Sequence, residues 1–486
     1  MKKIILLINL SLLLFSCGIT KRDFKKKIAI PVDKNYLKSD ELFKPSAPIT
    51  TWWEAFNDTT LNTLIQKARI NNLDINTATA NLFAARALLK GTKFDQYPTL
   101  TTNGNYTRTR LGENVFVQGV NPTFNTYNAS FDAAWELDFF GGVSAKVQQA
   151  YAIQKVALAD MQRVYVSIFA EVARNYIALR GTQHQLDIAR RNLKDQIATY
   201  ELTEQLFQVG RSSNLDTTRA KAQLEKTKSS LPILKAKIAA IENRLSILIG
   251  EEPGNLGALL TSKKNLPNLP KTVLTGRITE LLRRRPDIRI AEAKLQQQIA
   301  KYNISVATLY PQISFNGSIG FSAVDFSNFG KQESFTWSIM PNIHWAAFNL
   351  GRVKKQINRD DALTLAALQQ YKKTVLTALE EIRTAMNNYQ QQLKQREFLR
   401  SSAAASAQSA KFARERYKAG LDSFIDYLNA DRILLQIEHE LATSEMLTAT
   451  SLIAIYKSLG GGWEIISEEV SAQKFERLKH TDQTRR

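Results

Sequence analysis

Histidines, cysteines, paired carboxylates and glycine-rich loops are the usual material of catalytic and metal sites, and this 486-residue chain uses them sparingly. Its four histidines, His184, His344, His439 and His480, lie far apart, and none is read as part of a metal-ligand cluster with Cys, Asp or Glu. The acidic pairs Asp360 with Asp361 and Glu380 with Glu381 fall in stretches that read as helix. Neighbours on a helix point about 100° apart, so these pairs read as solvated faces and not as an acid and its base. Gly460, Gly461 and Gly462 follow a helical pattern instead of preceding one, which marks a helix stop and not a phosphate cradle. Trp52 and Trp53 read as packing residues. No metal, no organic cofactor and no enzymatic chemistry is expected.

The single cysteine, Cys17, asks for a different explanation. Lys2 and Lys3 precede an apolar stretch over residues 4–15 that only Asn9 and Ser11 interrupt. That stretch is shorter than the ~20 residues a membrane-spanning helix needs, and it has the form of a signal-peptide core. Leu14-Phe15-Ser16-Cys17-Gly18 then resembles the bacterial lipoprotein signal, with leucine three residues before the cysteine and a small residue just before it. The resemblance implies that residues 1–16 are a signal peptide and that Cys17 becomes the first mature residue, carrying acyl chains such as palmitate. Residues 17–50 are then a lipidated linker. Gly18, where inner-membrane lipoproteins often carry Asp, favours the outer membrane, and a lone cysteine allows no disulfide.

The formal charge is +20, from 65 basic and 45 acidic residues. The basic residues are spread through helical stretches, with short clusters only at residues 25–27 and 283–285, and no zinc-finger or RNA-binding signature accompanies them. Nucleic acid is not an expected partner. No later stretch approaches 18 uninterrupted apolar residues, so a membrane crossing has to be made by a closed β-barrel.

Internal repetition organises the chain. YPTLTTNGNY near residue 97 returns as YPQISFNGSI near 310, and WELDFFGG at 135 as WAAFNLGR at 345. QVGRSSNLD at 208 and LIGEE at 248 return as KAGLDSFID at 418 and SLGGG at 458, each about 210 residues on. The expected organisation is a first repeat over residues 51–265, a second over 266–463 and a charged tail over 464–486, disordered from residue 467. Each repeat begins with strands. Over residues 127–139 the odd positions are apolar or small (Tyr127, Phe131, Trp135, Leu137) and the even ones mostly polar (Asn128, Ser130, Asp132, Glu136), the period-two pattern of a strand with one dry face. Phe335, Trp337, Ile339, Ile343 and Trp345 repeat it, and partner strands fit residues 100–110 and 313–321. A soluble sandwich could also use such strands. Their length, their aromatics Trp135, Trp337 and Trp345 as anchors near the interface, and the polar loops at 112–124 and 323–333 fit a transmembrane barrel better. Four strands cannot close a barrel, since the smallest have about eight, so several chains have to share one.

Each repeat continues as very long helix. Residues 352–419 contain neither Gly nor Pro, and residues 143–209 contain only Gly181. Such a run extends roughly 100 Å at 1.5 Å per residue. Each ends at a glycine turn, Gly210 or Gly420, and is followed by a returning helix.

WWEAFNDTTLNTLI at 52, ELDFFG at 136, RRPDI at 284, FNLGR at 348, the two glycine turns and the closing LGGGW at 459 together resemble the TolC-like outer-membrane efflux lipoproteins, the exit ducts of tripartite RND-type pumps. The resemblance runs in order from Trp52 to Trp463. It implies a mixed α+β fold: long periplasmic α-helical hairpins forming a tunnel, and four transmembrane β-strands per chain in a twelve-stranded barrel shared by a homotrimer. It implies that the hairpin tips, Val209, Gly210, Arg211, Ser212 and Ser213 with Ala419, Gly420, Leu421, Asp422 and Ser423, dock on a periplasmic membrane-fusion adaptor that links to an inner-membrane RND-type pump. It also places a ring of aspartates at the periplasmic gate, with Asp426 at one position, Asn429 at the next and Asp431 two residues on. The implied function is outer-membrane exit of small molecules such as drugs. A type I protein-secretion duct and a non-conducting structural envelope lipoprotein are the alternatives.

Overall fold

A computed structural model describes residues 21–22, 42–46, 50–112, 123–256, 260 and 266–483. Cys17 and its surrounding signal lie outside the described residues. In chain order the elements are β1 (Phe43–Lys44), α1 (Thr59–Asn71), α2 (Leu73–Phe94), β2 (Thr99–Arg110), β3 (Thr123–Leu137), α3 (Gly142–Gln208), α4 (Asn214–Leu248), β4 (Val273–Leu274), α5 (Ile278–Arg284), α6 (Pro286–Ala307), β5 (Gln312–Ala323), β6 (Phe335–His344), α7 (Leu350–Lys418), α8 (Phe424–Ser458) and α9 (Glu468–Gln483). Two helices, a strand pair, a long helix and a returning helix therefore occur twice in the same order. The long helices have 67 and 69 residues and the returning helices 35 each. Among the described residues no helix is long and apolar enough to cross a membrane.

The chain divides into two compact units, each assembled from separate stretches. One comprises residues 1–30, 82–158 and 290–373 and holds the sheet. Its strands run antiparallel in the order β2-β3-β5-β6. The register aligns Phe131 with Ile319 and Trp337, and Trp135 with Phe315 and Pro341. Because side chains alternate across a strand, one face gathers Leu100, Tyr106, Tyr127, Phe131, Trp135, Ile319, Trp337 and Ile339. The other gathers Asn103, Asn128, Asp132, Ser318 and Ser338. Two strand ends are shorter than the alternation suggested. β3 stops at Leu137 because Asp138 turns back to accept the amides of Val143 (2.9 Å) and Ser144 (2.8 Å), capping α3. β6 stops at His344, and a 3₁₀ turn, Ala347–Asn349, leads into α7.

The helical part of this unit packs α6 on α7 through Tyr302, Val306, Leu309, Val353 and Ile357. Asp360 corrects the solvated-face reading of its pair. It is fully buried, and the Ser305 hydroxyl donates to its Oδ2 at 2.5 Å. Arg359 lies against its other oxygen at 3.0 Å, so the buried charge is compensated. Asp361 pairs instead with Arg22 (2.5 Å). The Arg22 backbone is read by Asn303, which accepts its N–H (2.9 Å) and donates to its carbonyl (3.0 Å).

The second unit comprises residues 31–81, 159–289 and 374–486. Trp52 and Trp53 are almost fully buried there. Trp52 stacks on Tyr456 at 5.3 Å, and Trp53 meets Phe169 edge-on at 5.0 Å. Gly462 has φ +108°, and a Cβ on it would come within 3.3 Å of both tryptophans. Gly460 lies as closely against Arg285. The Arg285 guanidinium in turn donates to the Ser458 carbonyl (2.6 Å), Asp287 (2.7 Å) and Glu381 (2.5 Å). β1 and β4 form a short parallel pair. The tail is ordered over α9, contrary to the disorder its charge suggested. Ser471 is buried, and Lys474 reaches across to donate to the Arg69 carbonyl (2.7 Å) with the Tyr165 ring beside it. Composition concealed a docking face that only the neighbouring helices reveal.

α3 and α8 approach closely at Gly181, where an added Cβ would lie 2.7–2.8 Å from the Met446 side chain. Gly181→Val is expected to destabilise the protein by roughly 1–3 kcal/mol through overpacking, although glycine is itself a poor helix former. Thermal melts of Gly181→Val, alone and combined with Met446→Ala, check this. The second substitution should recover part of the loss, and an unchanged melting temperature in the single variant would mean that the helices simply part.

Candidate functional site

The two hairpin tips are built by one local rule. At the first, the Gly210 N–H donates to the Phe207 carbonyl (3.0 Å) and the Arg211 N–H to Leu206 (2.7 Å). At the second, Gly420 donates to Tyr417 (2.9 Å) and Leu421 to Arg416 (2.9 Å). Both are Schellman closures, which need a left-handed residue, and Gly210 (φ +71°) and Gly420 (φ +74°) supply it. The returning helices then start on Ser213 and Ser423, whose hydroxyls accept the amides of Asp216 and Asp426. The two serine hydroxyls also donate to those aspartates, at 2.7 and 2.5 Å. Asp426 is thus an exposed N-terminal capping carboxylate with Asp216 as its counterpart in the other repeat. The S-x-x-D spacing, visible in the sequence at both turns, is the signal that announces this.

The second tip carries an additional clasp. Arg416 grips Asp422 with both arms of its fork, at 2.7 and 2.8 Å, and holds that carboxyl below its ordinary range. The two tips touch, because the Arg211 guanidinium lies 3.3 Å from where a Gly420 Cβ would be. Val209 and Leu421 are about two-thirds exposed and present an aliphatic knob at each tip.

Behind the tips, α8 is tied to its neighbours by groups that periodicity did not single out. Tyr417 stacks flat on Tyr427 at 6.0 Å, with Phe424, Leu428 and Ala220 completing a buried cluster. The Tyr427 hydroxyl and Thr199 Oγ1 are 2.9 Å apart, Gln196 donates to Asp431 at 2.5 Å, and Arg432 donates to Gln223 at 3.1 Å. Asp431 is buried against α3, whereas Asp426 is exposed, so the two carboxylates expected together at a gate occupy different environments. Burial pushes the Asp431 carboxyl up, partly offset by the Gln196 donation, with Asp195, Arg414 and Glu438 close by.

In the sheet, two of the three expected anchors behave alike. The indole N–H groups of Trp135 and Trp345 donate to the carbonyls of Gln96 (3.1 Å) and Leu309 (3.0 Å), which lie just before β2 and β5. Trp337 stands further along the apolar face, 68% exposed. At the opposite end of the strands Tyr106, Tyr127, Phe321, Phe326, Phe329 and Phe335 form a chain of ring contacts. An apolar band between two aromatic belts, backed by a polar face, is the cross-section of an outer-membrane barrel wall.

The family model for outer membrane efflux proteins matches this chain over residues 64–251 and 278–461. The chain belongs to the outer membrane efflux protein family. It is 28% identical over 418 residues to the toluene efflux pump outer membrane protein TtgC of Pseudomonas putida, covering 85% of each chain. Its fold is similar to the outer-membrane channel OprN, at 35% identity and a TM-score of 0.87, over 91% of this chain and 99% of that one. The CmeC outer membrane channel of Campylobacter jejuni shares the fold at 22% identity and a TM-score of 0.84, covering 95% and 98%. This efflux protein is therefore an outer-membrane channel component of an efflux system, in a family of transport ducts and not of enzymes.

The buried carboxylate of this channel protein gives a pH test. Burial makes Asp431 ionise less readily in the folded protein than in the unfolded chain. Its charge therefore costs stability above the folded pKa, and the cost disappears as pH falls through it. Asp431→Asn keeps an oxygen for Gln196 and should raise the melting temperature by a few degrees at pH 7.5, with the gain shrinking towards nothing near pH 4. Melts at the two pH values decide; a variant that melts lower at pH 7.5 would mean that the ionised form is needed.

Proposed function

We propose that three copies of this chain close one twelve-stranded barrel and form the exit duct of a tripartite pump. The observation that carries this is the four-stranded sheet, which ends in two strands, β2 and β6, each bonded on one side only among the described residues. An open edge in hydrocarbon leaves peptide groups without partners, so closure with further copies is the physical solution. The tips, with Val209 and Leu421 as apolar knobs around Gly210 and Gly420, dock on a periplasmic membrane-fusion adaptor that connects to an inner-membrane RND-type pump. The cargo is small and apolar or drug-like, in keeping with relatives named for toluene and antibiotic efflux. Cys17 carries acyl chains that add a membrane anchor. In favour of this, Arg22, five residues along the chain, is held by Asn303 and Asp361 in the unit that carries the sheet.

The gate is the α7–α8 hairpin, held to α3 and α4 by Tyr427, Asp431 and Arg432, with Asp426 facing its threefold mates at the mouth. Three carboxylates around an axis attract cations and repel one another. Planar-bilayer recordings of the full-length protein test this. Wild type should conduct weakly and favour cations, and Asp426→Ala should raise conductance severalfold. Asp216→Ala, which removes the equivalent cap from the other tip, separates gate from cap. If both variants act alike, the effect belongs to helix capping, and if no form conducts despite confirmed insertion, a structural envelope role replaces the duct.

A further inference from the structure

The outer end of β2 carries charge on an unexpected face. Tyr106, Arg108 and Arg110 alternate with Thr107 and Thr109, so both arginines share the apolar face with the tyrosine. The pairing with β3 fixes this direction, for Tyr106 lies opposite Tyr127, Arg108 opposite Asn125 and Arg110 opposite Thr123. The Tyr106 and Tyr127 rings are 4.9 Å apart, and the Tyr106 hydroxyl donates to Asn125 Oδ1 at 3.2 Å. The Asn125 amide nitrogen is thereby left as a donor beside Arg108. The residues on the other face, Thr107, Thr109, Phe124 and Thr126, are uncharged.

A cation serving the channel interior would stand on that other face. Arginine on the outward face is disfavoured within the hydrocarbon and tolerated only near its boundary, which is where the aromatic belt of Tyr106 and Tyr127 places it. No carboxylate among the described residues pairs with Arg108 or Arg110, although Asp325 and Glu333 lie in the turns between β5 and β6. Two guanidinium forks and one amide next to an apolar belt make a site of donors with a lipid-facing floor. Such forks match phosphate oxygens in pairs.

We propose that Arg108 and Arg110, with Asn125, bind the phosphate headgroup of an outer-leaflet lipid just above the aromatic belt. The inference rests on the barrel reading of the preceding subsection; conductance tests that reading, and lipid retention tests this one. Detergent-purified full-length protein is incubated with phosphorylated lipid A, with the same lipid A stripped of phosphate, or with inorganic phosphate as competitor, and bound lipid is counted by native mass spectrometry. Wild type should retain the phosphorylated form at least fivefold better than the dephosphorylated one, and an Arg108→Gln/Arg110→Gln variant should lose that preference while keeping its helical circular dichroism and its conductance. Equal retention by variant and wild type overturns the proposal. Displacement by inorganic phosphate alone assigns the site to a free anion and overturns the lipid. If the variant oligomer dissociates while lipid retention is unchanged, the arginines serve the seam between subunits and the proposal falls.

Discussion

Every peptide group that enters hydrocarbon has to find its hydrogen-bond partner within protein, and this requirement shapes the whole sheet-bearing unit. Among the described residues β3 and β5 are bonded on both sides, while β2 and β6 are bonded on one. The period-two alternation makes the open edges meaningful. A sheet wet on one face and greasy on the other can line a pore only if it curls until its edges meet. Four strands are too few to do so alone. The proposed closure by several copies therefore follows from backbone bonding, before any side chain at the seam is considered.

The second unit is organised by motifs that lie far apart in sequence and meet in space. Trp52 and Trp53 come from the start of the first repeat, Arg285 from the start of the second, and Gly460 and Gly462 from the end of the second. The glycines let the backbone pass against the indoles and the arginine stem, and Arg285 joins α6, α7 and the end of α8 through three acceptors. A buried guanidinium is tolerable here because Asp287 and Glu381 compensate it. The joint links both repeats within one unit, which explains why neither repeat is a unit by itself.

Duplication supplied two nearly equal hairpins, and the differences between them carry the functional reading. Both tips use a left-handed glycine followed by a serine–aspartate cap. Among the described residues, only the second adds the Arg416–Asp422 clasp and the stack of Tyr417 on Tyr427. At the base of the strands the first repeat places Asp138 to cap α3, and the second places Phe348, fully exposed, at the matching position.

Much of this was legible in the residues themselves. Alternation over 127–139 and 335–347, unbroken helix over 352–419, and glycines at 210 and 420 depend on local periodicity and backbone freedom, which are properties of short segments. The S-x-x-D caps are a local signal of the same kind. What tertiary structure alone decided is burial and partnership across long separations. Asp360, Asp361, Asp426 and Asp431 are alike as sequence, yet one is sealed against Ser305, one pairs with Arg22, one caps a helix in solvent and one is buried beside Gln196. The tail offers the same lesson, since the charge that suggested disorder coexists with a face that docks once Arg69 and Tyr165 are in place. Local pattern determines which element forms. The free energy of a charge or an apolar face depends on what lies against it, and that is decided by residues hundreds of positions away.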